Sequence, residues 1–307
     1  MPAELLTLPV ASDYNVPVRW YNANKGGAVI LLMPALGIPA GYYDPLASAL
    51  QAAGTSVLIM EQRGHGESAL RPSRNVDFGY REVLNEDIPT LLDWLHSRQP
   101  GQPVVLMGHS LGGHYASMTA GRKPERISGV ILSACGTAYY EAFTGTVRNQ
   151  LRVLITMIPL LIRAFGFYPG DKVGFGGREA RRLMQDWLQL ARHNRYAAIG
   201  LDEDLEAGIR RFNKPLLMLR MADDDFAPQA AMDAMRARYS SAQVSEHVFD
   251  AATLGDRADH HARRREAVHR PLHQPRRVQR QGAAPAGHRV GSHPRHVRND
   301  RVEHARH

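Results

Sequence analysis

Five short apolar runs, rich in β-branched residues, recur along the chain with helical or loop-like sequence between them: AVILLM at 28–33, SVLIM at 56–60, VVLMG at 104–108, ISGVILSA at 127–134 and PLLMLR at 215–220. Runs without polar alternation suit strands buried on both faces, and helix-length connections let neighbouring strands lie parallel. The expected class is therefore α/β, with a mostly parallel central sheet flanked by helices. Leu84, Ile88, Leu91, Leu92 and Leu95 recur at helical spacing and predict an amphipathic helix over roughly residues 78–97, closed off by Pro100 and Pro103.

The alternation divides the chain. Residues 1–135 read as the first part of an α/β core, 136–213 as a helical cap insertion, and 214–256 as the second part of the core. An insertion placed there would stand over the carboxyl edge of a parallel sheet, where ligands bind in open α/β folds. The apolar stretch 151–167 carries Arg152, Pro159 and Arg163, so it reads as a buried or lid helix and no membrane span is expected. Its Leu151, Leu154, Ile155, Ile158, Leu160, Leu161 and Ile162 suggest either an apolar acyl pocket or plain core.

Residues 257–307 differ in kind. They hold thirteen Arg, nine His and four acids, with Leu272 the single leucine and no Phe, Trp, Tyr, Ile, Met or Lys. Such a segment cannot bury enough apolar surface to offset its ordering entropy. It reads as a disordered basic arm able to bind polyanions or, the favoured reading, as the out-of-frame translation of a GC-rich message. The chain's net charge of +8 is concentrated there, since thirteen Arg less four acids is +9 and leaves residues 1–256 at about −1. No nucleic-acid partner is expected for the body. Cys135 is the only cysteine and the N-terminal MPAELLTLPVASDYN lacks the basic start and apolar run of a secretory signal, so a cytoplasmic location is expected.

VVLMGHSLGG sets Ser110 directly after an apolar strand and before a helix-compatible run. A serine on a sharp strand-to-helix turn exposes its oxygen, and small residues at positions 108 and 112 allow strand and helix to approach. Ser110 is the candidate nucleophile, with the Leu111 N–H at the helix start as the first oxyanion donor. The loop after the 28–33 run, PALGIPAGYY, should supply the second donor, for which Leu36 is chosen. The loop in PLLMLRMADDDFAP offers Asp223, Asp224 and Asp225 as the acid that orients a base. A base histidine should follow; His247, His260 and His261 are the candidates, while His109 is expected to pack at the turn.

At these residues the chain resembles the α/β-hydrolase superfamily, and more narrowly hydrolases akin to serine aminopeptidases and monoglyceride lipases. The resemblance covers about residues 10–255 and includes PALGIPAGYY, EQRGHGES at 61–68, GHSLGG, YPGDKVGFGG with Trp187, and DDDFAP. It implies a catalytic set of Ser110, Asp224 and His261, with Leu36 and Leu111 forming the oxyanion hole. It also implies that the EQRGHGES turn is structural and that His65 lies outside the catalytic set. Around His261 the family's glycine and aromatic residues are replaced by His260, Ala262, Arg263 and Arg264. The implied function is hydrolysis of a carboxylic ester or related acyl compound through an acyl-enzyme, on a small and hydrophobic substrate, without cofactor or metal. The competing readings are an acyltransferase or perhydrolase on the same scaffold, an inactive pseudo-hydrolase, and polyanion binding through the basic tail. Nothing in the sequence specifies an oligomeric state.

Overall fold

In a computed structural model, residues 2–10, 13–24 and 26–254 are described. The strands are β1 (Glu4–Pro9), β2 (Asn15–Tyr21), β3 (Val29–Met33), β4 (Ser56–Met60), β5 (Val104–His109), β6 (Gly129–Ser133), the short pair β7 (Tyr168–Pro169) and β8 (Arg178–Glu179), then β9 (Pro215–Met221) and β10 (Gln243–Phe249). The helices are α1 (Asp44–Ala52), α2 (Tyr80–Glu82), α3 (Ile88–Arg98), α4 (Leu111–Arg122), α5 (Gly145–Phe165), α6 (Gly170–Val173), α7 (Arg181–His193), α8 (Leu205–Arg211), α9 (Gln229–Arg236) and α10 (Ala251–Leu254).

Eight strands form one sheet in the order β1-β2-β4-β3-β5-β6-β9-β10. From β4 to β10 every pairing is parallel, as the apolar runs require, and only β1 with β2 and β2 with β4 are antiparallel. The α/β expectation is met, and β3 and β4 are buried at every residue. The β1–β2 pair was not anticipated, because its burial alternates along β1 and Pro17 interrupts β2.

The helix expected over 78–97 is present in a modified form. A single π-turn at Val83–Asp87 lies between α2 and α3, and Pro89 follows it. Proline has no N–H to return to the preceding turn, and a π-turn absorbs such a mismatch without ending the helix. Leu84, Ile88, Leu91, Leu92 and Leu95 all reach the core despite the shift. The turn also brings Asp87 against Arg63, whose Nε and Nη2 donate to its carboxylate at 2.7–3.1 Å.

Two apolar clusters cover the faces of the sheet. The larger joins β2, β3 and β5 to α3, α4 and α5, while the smaller sits beneath α1 around Ile30, Leu32, Val57, Ile59 and Met107. α8 crosses α4 at Gly121 and Gly208, where a Cβ on Gly121 would come within 2.6 Å of the Gly208 carbonyl carbon. Side chains would hold these helices apart. The expected basic tail at residues 257–307, and with it His260 and His261, lies outside the described residues.

Candidate functional site

Ser110 occupies the junction of β5 and α4 with φ +49° and ψ −115°. This conformation is sparsely populated for a residue bearing a Cβ and costs on the order of 1–3 kcal/mol. The surroundings enforce it. Ser110 N–H donates to the Ser133 carbonyl on β6 at 3.1 Å, while its own carbonyl accepts from Gly113 and His114 N–H at 2.8 and 3.2 Å. Glycine is obligatory nearby: a Cβ on Gly108 would lie 2.2 Å from Gly112 C and Gly113 N, and one on Gly112 would lie 2.0 Å from the Met33 carbonyl oxygen. Strand and helix therefore meet backbone to backbone, and Ser110 is carried to the carboxyl edge of the sheet. Leu111 opens α4, so its N–H has no preceding turn to bond to.

Leu36 lies in the turn after β3, half-buried and packed against the larger cluster. Its loop is fastened by residues whose roles the sequence did not reveal. Gln62 Nε2 donates to the carbonyls of Pro34 and Ala35 at 2.5 and 3.1 Å. Ala40 N–H donates to the buried Glu61 carboxylate at 3.1 Å. Ala35 N–H donates to Tyr43 Oη at 2.9 Å, and Tyr43 Oη lies 2.9 Å from His109 Nδ1. A hydroxyl carries one proton and two acceptor sites, so Tyr43 can bridge Ala35 N–H to a neutral His109 in either tautomer of the imidazole. Burial lowers the His109 value below that of an ordinary imidazole, against the nearby charge of Asp224, in keeping with that state. His109 thus ties the loop of Leu36 to the strand that presents Ser110.

Asp224 follows β9. Register places it on the same edge as the serine, since His109 pairs with Ser133 and Ser133 with Leu219. Of the three aspartates, Asp224 is half-buried while Asp223 and Asp225 are exposed. Asp224 Oδ1 accepts from Phe226 N–H at 3.0 Å and its carbonyl from Ala227 N–H at 3.2 Å, which shapes the loop into a turn. His247 sits on the edge strand β10, exposed, with its ring 4.4 Å from that of Phe249.

His65 is buried, with Nε2 2.9 Å from Glu179 Oε2. Burial lowers its value, but the charge of Glu179 and the hydrogen bond to it outweigh that effect and leave it raised. Leu151, Ile155, Ile158 and Ile162 are buried and packed in the core, and Leu160 is 58% exposed, so these residues of α5 are mostly committed to packing. Among the described residues no cluster of three or more His, Cys, Asp or Glu could hold a metal ion, and no helix is long and apolar enough to cross a membrane.

Comparison with known proteins agrees with this architecture. Human monoglyceride lipase is 31% identical over 113 residues, which cover 37% of this chain and 36% of the relative. A monoacylglycerol lipase of Mycolicibacterium smegmatis is 27% identical over 140 residues, covering 46% of this chain and 49% of the relative. The chain thus matches less than half the length of these curated relatives. Among solved structures, a thermostable carboxyl esterase from Bacillus coagulans in complex with glycerol superimposes with TM-score 0.62 at 16% identity, covering 87% of this chain and 97% of its own. A soluble variant of the Saccharomyces cerevisiae monoglyceride lipase gives 0.58 at 15%, covering 81% and 86%. At such identities the likeness is one of fold. The model of the family described as serine aminopeptidase, S33, matches residues 24–253, most of the chain, and the protein belongs to that family of α/β hydrolases.

Proposed function

We propose that this chain is a serine hydrolase of carboxylic esters with a hydrophobic acyl group, in the manner of the monoglyceride lipases it resembles in part. The observation that carries the reading is the strained backbone of Ser110, held at the strand-to-helix junction where Gly108 and Gly112 leave no room for a Cβ. Strain maintained by so much surrounding structure is characteristic of sites that use it. In this reading Ser110 Oγ attacks the ester carbonyl, and an imidazole takes its proton and passes it to the departing alcohol. The N–H groups of Leu36 and Leu111 hold the developing oxyanion, and water then releases the acid from the acyl-enzyme. Asp224 orients the imidazole, and His261 is the assigned base. A cytoplasmic setting is part of the same proposal, as is the division into core, cap at 136–213 and tail.

A second reading, an inactive pseudo-hydrolase, is favoured by one observation: Ala262, Arg263 and Arg264 stand where the family has aromatic residues beside the base. One experiment separates the two. A fluorophosphonate probe should label Ser110 above every other serine, and Ser110→Ala should abolish that labelling and lower turnover of p-nitrophenyl butyrate by about 10⁶-fold. His261→Ala should erase turnover that His260→Ala leaves intact. Equal labelling of the wild type and Ser110→Ala would refute the hydrolase reading.

A further inference from the structure

One buried charge pair has no part in the proposed triad. Glu179 on β8 is fully buried and His65, in the turn after β4, is 8% exposed. Two ionisable groups withdrawn from water repay their desolvation only when their bonding is complete and well aligned. Both oxygens of Glu179 are engaged: Oε2 meets His65 Nε2 at 2.9 Å, and Oε1 accepts the Gly177 N–H at 2.7 Å.

The consequence lies one contact further on. A Cβ on Gly177 would come within 2.8 Å of His65 Cε1, so the imidazole rests directly on that backbone. Gly176 and Gly177 rest in turn on Leu36 and Gly37. A Cβ on Gly37 would be 2.6 Å from Gly177 N and 2.7 Å from Gly176 C, and one on Gly176 would be 3.0 Å from Leu36 Cδ2. The turn that carries Leu36 is therefore gripped from both sides. Tyr43, Gln62 and Glu61 hold it through the core, and the glycine segment after α6 holds it from the other side, itself fixed by the His65–Glu179 pair.

We propose that His65 and Glu179 are positioning residues for the oxyanion loop: their pair clamps Gly176–Gly177 onto Leu36–Gly37 and so fixes the direction of the Leu36 N–H. The inference rests on the hydrolase reading for its purpose, because the aim of that N–H matters only if it meets an oxyanion. Loss of one such donor typically costs about 10²–10³ in turnover, and a misaimed donor should cost part of that.

The test uses the full chain with Glu179→Ala, Glu179→Gln and His65→Gln. Amide hydrogen exchange at residues 35–41 is expected to quicken roughly tenfold in Glu179→Ala, with Glu179→Gln in between because it keeps an acceptor for Gly177. Over the same variants kcat on short-chain p-nitrophenyl esters is expected to fall about 10–100-fold while KM stays within about twofold. Where Glu179→Ala fails to fold, the two glutamine variants carry the comparison. Unchanged exchange at 35–41 in the folded variants, or a fall in kcat matched by loss of protection throughout the chain, would overturn the clamp. A wild type without turnover would refute the hydrolase reading instead, and the exchange data would still decide the clamp.

Discussion

The two halves of the sheet hold their candidate residues by different means. Around Ser110, β3 and β4 are buried at every position, and the serine is fixed by backbone hydrogen bonds and by glycines that leave no space for a Cβ. Around Asp224, β9 is mostly half-buried, and β10 beyond it has five exposed residues out of seven. The geometry of Ser110 is thus a property of close packing, which changes in steps, whereas that of Asp224 is a property of a turn near the margin of the sheet, which bends more readily. Damage to the second half should therefore impair the chemistry well before it disturbs the serine.

The largest effect expected from this contrast is on turnover. Asp224→Asn should lower kcat by about 10³–10⁴ if it orients the base, as a wrong imidazole tautomer does in other triads, while Asp223→Asn and Asp225→Asn should change it less than about twofold. Ester hydrolysis by the three variants decides it, and sensitivity at Asp223 or Asp225 would break the assignment. Fluorophosphonate labelling of Asp224→Asn should slow with its turnover, while its melting temperature stays close to wild type.

Next comes stability. Gly112→Ala should cost about 3 kcal/mol or more, since its Cβ would meet the Met33 carbonyl oxygen at 2.0 Å. Gly101→Ala should cost only about 1 kcal/mol, because open space surrounds that position and only its φ of +77° resists a side chain. Urea unfolding monitored by tryptophan fluorescence measures both. Equal costs would mean that the junction is less tightly packed than the glycine contacts indicate.

The smallest effect concerns pH. His65 has a raised value in the folded state, with Glu179 and Glu61 favouring its charge against burial and Arg71. Its contribution to stability should be complete below the ordinary imidazole value of about 6.5 and be lost as pH rises through the folded value. The difference in melting temperature between the wild type and His65→Gln should accordingly shrink as the solution is made alkaline. A difference that widens would show that the pair is held in its neutral form.

What could be read from the sequence follows the distance over which its signals act. The strand runs, the helix of Leu84 to Leu95 and the serine turn are each defined by adjacent residues, so periodicity and glycine placement expose them. The Gln62 bonds to Pro34 and Ala35, the Tyr43 bond to His109 and the Glu179 bond to His65 join residues separated by 27 to 114 positions, and no local pattern marks them. Tyr43 stands in PALGIPAGYY, but only the fold shows that its hydroxyl joins that loop to the end of β5. The choice among the three aspartates lay beyond local sequence as well. It rests on resemblance; in the structure Asp224 is half-buried where Asp223 and Asp225 are exposed.

The strand order carries a consequence for the way the chain is made. Met33, Gly108, Gly112, Gly113 and Ser133, which shape the Ser110 turn, all precede residue 136, whereas β9 and the aspartate loop come some eighty to ninety residues later. A ribosome adding about 5–20 residues per second delivers the first group on the order of 5–20 s before the second. The strained serine turn can therefore be assembled while the aspartate loop is still being translated, and a message altered late in its length would still yield that turn.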